Sequence, residues 1–422
     1  MSVNKDLKIL ILSAYDVGGA SIAAIRLHEA LLKSGVKSRL LTLHRTKFDI
    51  PEHYQYQVTG GIGKRISLKL RQRAEHKLRN SLRFPSGQNM AGKFSIPVAS
   101  YEIHRSPHWK WADVVNIHWI NEWLSVESII THSSGKPLIW TMHDEHLFTG
   151  GCHYSESCVG FETDCASCPL LSESSLPDIA SHSLKAKLHA FQQFQPNMKV
   201  VAPSQWMVNK ARHSSLLSEI EGVRIFNSLD RQIFLPVPQD VCREVLSLPR
   251  EKTILLSVTQ NMDDHRKGFQ LLRQTLNQTG LPDDWMLCTV GKLDSQDSIT
   301  GIEHKHLGSI HDHRLMAIIY SSASVFVHPA TEDNLPNVVA EAHMCGVPVA
   351  GFRIGGMPEM VHEENGSLSD ELNSEGLLRS IRQALMLGEN RDAISKDASR
   401  RYSPENQAEE FLRFANAMNM GA

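Results

Sequence analysis

The 422-residue sequence lacks any run of about 18 consecutive apolar residues, the length that a membrane-spanning helix needs. It also lacks an excess of one charge, because 44 lysines and arginines face 46 aspartates and glutamates. A dedicated nucleic-acid-binding protein needs a strongly basic surface, so this balance argues against that class. The first residues lack the basic start and the cleavage site of a secretory signal peptide. We therefore expect a cytoplasmic protein that binds no nucleic acid.

Cysteine is scarce, with seven in the whole chain, yet four of them fall within one short stretch, at Cys152, Cys158, Cys165 and Cys168. In a reducing compartment, clustered cysteines are more often metal ligands or reactive thiols than disulfides. Cys165 and Cys168 have the spacing of half a zinc site, and four thiolates would close it in the manner of a structural zinc. Three interpretations stay open here: a structural zinc ion, cysteines without metal, and a catalytic thiol.

Hydrophobic residues make up 41% of the chain, which is enough to build real cores. Near-continuous apolar runs alternate with helical segments, and they fall into two series. The first series lies at residues 7–14, 38–44, 112–119, 137–143, 198–204 and 222–226, and the second at 253–259, 285–291, 323–329 and 346–352. Such runs predict parallel strands covered on both faces by helices. The sequence therefore predicts an α/β protein of doubly wound units.

A proline-containing stretch at residues 227–240 separates the two series and reads as an interdomain linker. We therefore expect two Rossmann-like domains, at residues 1–235 and 236–400, which face each other across a cleft. Residues 401–422 are expected to form a helix that packs back on the first domain. The first domain carries a basic insertion at 62–84 and the cysteine-rich loop at 150–170.

The basic insertion is the exception to the charge balance, since eight basic residues between positions 63 and 83 face one acid, Glu75. A solvated helix within a long insertion is one interpretation. The other is a surface that meets anionic lipid headgroups or a diphosphate-linked acceptor.

Two loops that follow strands have the residues of a phosphate site. Gly18 and Gly19 come directly after the first strand and lead into a helix, whose N-terminal N–H groups can receive phosphate. A plain strand-to-helix connection would look the same. Arg266 and Lys267 follow the first strand of the second series, where two cations suit a diphosphate.

The segment at 328–352 reads as strand, acidic loop, helix and strand. Pro336 suits the first helical position, and Gly346 suits the end of the helix. Asp333 and Glu341, with seven residues between them, are placed to bind hydroxyl groups, and the N–H groups after Asn334 can hold phosphate. The following residues Gly355 and Gly356 form another loop where backbone can approach a ligand.

Together these segments resemble the glycosyltransferases of the GT-B fold, and among them family 4 of the retaining, nucleotide-sugar-dependent enzymes. The similarity is greatest to bacterial enzymes of exopolysaccharide, capsule and O-antigen assembly. It runs through nearly the whole chain, on the Gly18–Gly19 loop and the segments DVVNIHWI, LIWTMHD, CHYSESC, VAPSQWM, FNSLD, RKG, EDNLPNVVAEA and CGVPVAGFRIGG. The resemblance implies an acceptor-side first domain and a nucleotide-sugar-binding second domain.

The resemblance also implies roles for particular residues. Glu341 matches the acid that holds the nucleotide ribose, Asp333 the acid that contacts sugar hydroxyls, and Lys267 the lysine that neutralises the donor diphosphate. His143 matches a first-domain histidine near the reacting sugar, so the implied catalytic set is His143, Lys267, Asp333 and Glu341. The implied donor-binding set is Gly18, Gly19, Arg266, Lys267, Glu332, Asp333, Asn334, Leu335, Pro336, Asn337, Glu341, Gly355 and Gly356.

The sequence departs from the family at two of these positions. The family usually has glutamate where this chain has Asp333, so Glu332, one place earlier, is a second candidate for that role. The family's arginine five residues before the lysine is replaced by Met262, and Arg266 is the available substitute.

The implied reaction transfers a sugar from a nucleoside-diphosphate sugar to a glycan or lipid-linked glycan with retention at the anomeric carbon. The leaving phosphate assists on the same face, and no catalytic metal is required, so the cysteines would brace a loop, with or without zinc. A cytoplasmic enzyme, peripheral at the inner face of the membrane, fits this chemistry. The alternatives are a nucleotide-sugar-binding subunit without activity, a sugar-nucleotide epimerase and a glycan phosphorylase, although the sequence offers no pyridoxal-binding context for the last.

Overall fold

The computed structural model describes residues 6–58, 62–84, 94–96, 101–171, 176, 178–293 and 299–419. The chain divides into two compact units. The first consists of Met1–Asn227 together with Gln407–Ala422, and the second of Ser228–Asn406. Each unit is built around its own parallel sheet.

The first unit contains seven parallel strands in the order β3-β2-β1-β4-β5-β6-β7. Their bounds are β1 Lys8–Ser13, β2 Lys37–Thr42, β3 His53–Gln55, β4 Val114–Ile117, β5 Leu138–Thr141, β6 Met198–Ala202 and β7 Gly222–Arg224. The helices of this part of the chain are α1 Gly19–Lys33, α2 Ile62–Ser81, α3 Pro107–Trp111, α4 Val126–Thr131, α5 Ile179–Phe194 and α6 Gln205–Arg212.

Strand β1 shows why its sequence is continuously apolar. Ile9 and Ile11 pack into one core cluster, whereas Leu10 and Leu12 pack into another. Successive side chains of a strand point to opposite faces, so a strand buried on both faces must be apolar at every position.

The second unit contains six parallel strands in the order β10-β9-β8-β11-β12-β13. Their bounds are β8 Thr253–Asn261, β9 Trp285–Lys292, β10 Glu303–His306, β11 Val325–His328, β12 Val349–Phe352 and β13 Gly366–Ser369. The helices are α7 Gln239–Val245, α8 Phe269–Leu276, α9 His313–Ser322, α10 Asn337–Met344, α11 Met357–Met360, α12 Ser374–Leu385 and α13 Arg391–Arg401. The prediction of two Rossmann-like α/β sheets is therefore confirmed.

The last helix, α14 Pro404–Asn419, contributes to the core of the first unit. Its buried residues recur at helical spacing, at Ala408, Phe411, Leu412, Ala415 and Met418. They join the same cluster as Ile9 and Ile11 of β1. The C-terminal helix thus covers one face of the N-terminal sheet.

Three strands were not predicted from the sequence, and all three lie at sheet edges. They are β3, β10 and β13, with the sequences HYQ, EHKH and GSLS. An edge strand is only partly covered, so it does not need the apolar run that marks a central strand. In the part of the chain that the structure describes, no helix has both the length and the hydropathy to cross a membrane.

Candidate functional site

The sheet of the second unit has a topological switch point between β8 and β11. The two strands are parallel neighbours, but the chain continues from β8 to one side and from β11 to the other. The loops that follow these strands therefore leave a crevice at the carboxyl edge of the sheet, which is where ligands of open α/β sheets bind. Lys267 lies in the first of these loops and Asp333 in the second.

The loop after β8 is a tight turn that packs on the end of β11. Residues His265–Lys267 form one 3₁₀ turn, and the side chain of Asp264 caps it by accepting from the Arg266 N–H. Gly268 has a φ of 68°, and a Cβ there would meet the Pro329 carbonyl oxygen at 1.8 Å. Only glycine fits this close approach, so the turn is held against the second loop.

Lys267 and Asp333 form the ion pair of the crevice. The Nζ atom of Lys267 donates to the Oδ2 atom of Asp333 at 2.6 Å. The Nε2 atom of His328, at the end of β11, lies 3.4 Å from the same oxygen. Burial alone would raise the pKa of Asp333, but Lys267 and His328 outweigh it and hold that pKa well below its ordinary value. The carboxylate is therefore ionised at neutral pH.

The loop after β12 completes the crevice. A Cβ on Gly355, whose φ is 50°, would meet the Asp333 carbonyl oxygen at 1.8 Å. The N–H of Gly356 donates to the Asn334 carbonyl at 2.8 Å, and the N–H of Thr331 donates to the Arg266 carbonyl. Backbone contacts thus fix the three loops to one another, and the ion pair rests on a rigid frame.

Helix α10 begins directly after the second loop, with Pro336 preceding its first residue. Leu335 is buried and anchors the entry to the helix. The first N–H groups of a helix are available to an anion. Glu341, in the second turn of α10, accepts a hydrogen bond from the Tyr320 hydroxyl at 3.0 Å.

The structure shows where Met262, which replaces the family's arginine, and Arg266, its available substitute, lie. Met262 is 1% exposed and packs in the core of the second unit. Arg266 is also buried, and its guanidinium donates to the Asp264 carboxylate at 2.9 Å. Arg266 therefore lies in the same turn as Lys267, in an ion pair with Asp264.

The first unit has its own switch point, between β1 and β4. Gly18 and Gly19 follow β1, and helix α1 begins at Gly19. A Cβ on either glycine would meet nothing within 4 Å, so the loop borders open space. Asp16, just before it, accepts hydrogen bonds from Thr46 and Lys47 and holds the loop in place. The arrangement suits a phosphate at the helix N-terminus.

His143 follows β5 at the same edge of this sheet. Its Nε2 atom lies 2.8 Å from the Nδ1 atom of His118, which follows β4. Burial lowers the pKa of His143 to about 4, although Asp144 opposes the shift. A small cavity borders both histidines. His143 is therefore neutral at physiological pH and lies beside a cavity.

A hydrogen bond and a buried ion pair fix the loop that follows His143. Asp144 accepts from His153 at 2.7 Å, and Glu145, which is fully buried, accepts from Lys210 at 2.6 Å. Glu145 also accepts the N–H of Ser155 at 2.9 Å. Side chains on separate elements therefore hold this loop.

The four clustered cysteines line a separate small cavity together with Phe94 and Phe161. They are free thiols, and burial raises the pKa of Cys165 to about 11 and the pKa of Cys152 further. Among the residues that the structure describes, no three His, Cys, Asp or Glu side chains are arranged to hold a metal ion. The predicted structural zinc is therefore not supported, because these side chains do not converge on one point.

Sequence reasoning missed several partners in these sites. His328, Tyr320 and Lys210 carried no recognisable signal in the sequence, and Asp264 carried only a weak one. The partner of Asp264 lies 2 residues away in sequence, the partner of Tyr320 lies 21 residues away, and the partner of Lys210 lies 65 residues away. The position of Asp264 as a helix-capping residue before a short turn is the one signal available in the sequence.

Residues 252–386, which include the whole crevice around Lys267 and Asp333, match the family described as glycosyl transferases group 1. The chain is also similar to a candidate colanic acid biosynthesis glycosyl transferase, WcaC, of Escherichia coli strain K12. The two are 24% identical over 321 residues, which cover 71% of this chain and 75% of the relative.

Solved structures share the fold over nearly the whole chain. The sucrose-phosphate synthase of Thermosynechococcus elongatus has a TM-score of 0.64 at 17% identity and covers 99% of this chain and 100% of its own. HepE of Anabaena, solved in complex with UDP-glucose, has a TM-score of 0.60 at 16% identity and covers 97% and 100%. These likenesses confirm the predicted GT-B fold. The comparisons do not favour the alternatives, an inactive binding subunit or an epimerase.

Proposed function

We propose that the protein moves a sugar from a nucleoside-diphosphate sugar to a hydroxyl group of a glycan or lipid-linked glycan, with retention of the anomeric configuration. The role that we propose is the synthesis of a bacterial cell-surface polysaccharide. The observation that carries the proposal is the Lys267–Asp333 ion pair at the switch point of the group 1 domain. WcaC is named for colanic acid biosynthesis, and HepE was solved in complex with UDP-glucose.

Lys267 and the first N–H groups of α10 supply the positive charge that the donor diphosphate needs. As the bond to the sugar breaks, negative charge grows on the leaving diphosphate. Fixed donors stabilise this charge more strongly than water does, because they need no reorganisation during the reaction. The backbone contacts of Gly268 and Gly355 keep those donors in place.

Asp333 and Glu341 have different proposed roles. Asp333 is ionised and accepts hydrogen bonds from hydroxyl groups of the donor sugar, while it orients Lys267. Glu341, beside Tyr320, accepts from the ribose hydroxyls of the nucleotide. Charged acceptors make stronger hydrogen bonds than neutral ones, so both acids favour a ligand rich in hydroxyl groups. Glu332, Asn334 and Asn337 flank them on the same segment.

In the first unit, the Gly18–Gly19 loop and His143 are the proposed contacts to the diphosphate and to the reacting sugar. Retention follows if the acceptor hydroxyl attacks from the face that the phosphate leaves. The leaving phosphate then takes the hydroxyl proton, and the protein chiefly positions the reactants.

The experiment starts with a thermal-shift screen of nucleotide-sugars on the purified chain. The donor that stabilises it is then incubated with candidate acceptors, and proton NMR reads the anomeric configuration of the new linkage. We expect the product to have the donor's configuration. An inverted product would refute the proposed mechanism, and stabilisation without any transfer would favour a binding subunit.

We also propose that the protein contacts the cytoplasmic face of an anionic membrane through α2. The residues Ile66, Lys69, Leu70, Arg73 and Lys77 recur at helical spacing and form what we name the basic face of α2. All five are exposed, and Ile66 and Leu70 are 53% and 57% exposed. The opposite side packs on the core of the first unit through Leu68 and Leu78. Basic residues interleaved with aliphatic ones suit an anionic lipid surface.

Sedimentation with liposomes tests the membrane contact. The wild-type chain should sediment with phosphatidylglycerol vesicles and not with phosphatidylcholine vesicles. The variant Lys69→Glu/Arg73→Glu/Lys77→Glu should stay in the supernatant while its donor-induced thermal shift is unchanged. Equal sedimentation of the variant would contradict the contact.

A further inference from the structure

The side-chain amide of Asn116 has only one possible orientation. Its Nδ2 atom lies 3.1 Å from the carbonyl oxygen of Ile139 and 2.8 Å from Thr141 Oγ1. A carbonyl oxygen can only accept, so the atom beside it must be the NH2 group. The Oδ1 atom of Asn116 therefore points the other way, to the Nε2 atom of His118 at 2.6 Å.

This orientation fixes the proton on His118. Because Oδ1 of Asn116 can only accept, Nε2 of His118 must carry a hydrogen and donate it. His118 is 4% exposed, and burial, with a smaller effect of His143, holds its pKa well below the ordinary value. The ring is therefore neutral, and its Nδ1 atom carries a lone pair.

The lone pair of His118 then fixes the proton on His143. The Nδ1 atom of His118 lies 2.8 Å from the Nε2 atom of His143, so His143 must donate from Nε2. Because His143 is also neutral, its Nδ1 atom carries no hydrogen. The chain of hydrogen bonds thus selects one of the two tautomers of His143.

We propose that Asn116 and His118 are positioning residues, which hold His143 with its proton on Nε2 and its lone pair on Nδ1. His143 is half-buried and borders the small cavity together with Trp119 and Thr141. A nitrogen lone pair accepts a hydrogen bond from a hydroxyl group, whereas it repels the oxygen of a phosphate or carboxylate. In this tautomer the Nδ1 atom of His143 can accept a hydrogen bond, which suits a sugar hydroxyl group and not an anionic oxygen. The identity of this ligand rests on the proposed function, but the tautomer does not.

The tautomer can be measured without any substrate. The chain is produced with ¹³C- and ¹⁵N-labelled histidine, and the ring signals of His143 and His118 are assigned by their loss in His143→Gln and His118→Asn. At pH 7 we expect both rings to be neutral with the proton on Nε2. A proton on Nδ1 of His143, or a charged ring there, would overturn the proposal.

Two variants of His118 separate positioning from simple packing. The Oδ1 atom of asparagine occupies nearly the place of histidine Nδ1, so His118→Asn can still accept from His143, whereas His118→Leu cannot. We expect His143 to populate both tautomers in His118→Leu, with kcat/KM for transfer reduced by about tenfold or more, because misplacement of a reacting group is costly. His118→Asn should recover most of that loss. Both variants should bind the nucleoside diphosphate as the wild type does, since its proposed contacts lie chiefly in the second unit.

A failure of the positioning role can be told apart from a failure of the proposed function. Equal losses in both variants, with unchanged melting temperatures, would overturn the positioning role. A wild-type tautomer in His118→Leu would also overturn it. If the chain transfers no sugar at all, the proposed function fails, while the NMR signals of His143 still decide the tautomer.

Discussion

Lys267 and Asp333, which lie 66 residues apart in sequence, share a 2.6 Å hydrogen bond at the switch point of the C-terminal sheet. The contact joins the loop after one strand to the loop after its neighbour. In this contact Asp333 neutralises the charge of Lys267, and the proposed reaction needs that charge to bind the donor diphosphate. Donor binding must therefore rearrange this pair, so that Lys267 meets phosphate while Asp333 meets the sugar.

The variant Asp333→Asn should separate these two contacts. Asparagine has nearly the same shape but leaves the charge of Lys267 uncompensated. We expect the nucleoside diphosphate to bind as tightly as before or more tightly. Transfer should fall by about 100-fold, the cost of losing one charged contact in an active site. Calorimetric titration with the diphosphate and with the intact nucleotide-sugar checks this, and equal weakening of both ligands would contradict the role of Asp333.

The variant Gly355→Ala should disrupt the crevice. Its added Cβ would lie 1.8 Å from the Asp333 carbonyl oxygen, so the loop must move. We expect a loss of about 2 kcal/mol in the free energy of unfolding of the second unit, together with weaker donor binding. Gly308→Ala is the matched control, because Gly308 also has a positive φ, of 73°, but faces open space. Equal effects of the two variants on donor binding would show that the close contact at Gly355 is unimportant.

The buried pair of Glu145 and Lys210 should be important for the loop that follows His143. Lys210→Met leaves a buried carboxylate without its cation, which typically costs about 3 kcal/mol in the free energy of unfolding. Arg250→Met breaks the exposed pair of Arg250 and Glu244 and should cost little. Urea unfolding of both variants, followed by tryptophan fluorescence, measures the difference. Similar midpoints for the two would mean that the buried pair does not hold the loop.

Acid should destabilise the second unit through His343. Burial lowers the pKa of His343 from 6.5 to about 3 and outweighs the opposing effect of the hydrogen bond to the Asn365 carbonyl. The charges of His362 and Arg401 lower this pKa by smaller amounts. Between these two pH values the unfolded chain binds a proton that the folded chain does not, so stability falls as the pH falls through that window.

The variant His343→Met removes the side chain that binds this proton in the unfolded chain. The free energy of unfolding should then depend less steeply on pH between 6.5 and 3, by up to about 1.4 kcal/mol per pH unit. The exposed His311→Met is the control and should leave the slope as it is. Urea midpoints at several pH values give the slopes, and an unchanged slope in His343→Met would contradict the assignment of His343.

The sequence was sufficient to predict the strands that are covered on both faces. Burial on both faces explains the unbroken apolar run Ile9–Leu12 in the middle of β1, and this run is visible without a structure. The edge strands β3, β10 and β13 carry polar residues such as His53 and Glu303, and nothing in their composition distinguishes them from loops. Their pairing depends on the neighbouring strand, which the local sequence does not describe.

The sequence could predict where the residues of the candidate site lie, but not which side chains they contact. Lys267 and Asp333 come after strands, so their placement at one sheet edge follows from the topology of parallel sheets. Two contacts depend on how side chains from separate elements are placed. They are the contact of Asp333 with His328 and the contact of Glu145 with Lys210. The cysteine spacing suggested a zinc site that the structure does not support. Spacing brings thiols near one another, but metal binding also needs the side chains to converge on one point.

The measurement that tests the central claim most directly is the release of nucleoside diphosphate by the purified chain, compared with Lys267→Met. The donor is the nucleotide-sugar that gives the largest thermal shift, and the acceptor is a glycan fraction. We expect release that depends on acceptor in the wild type and a loss of about 100-fold or more in the variant, with an unchanged melting temperature. A Lys267→Met protein that releases diphosphate at close to the wild-type rate would contradict it.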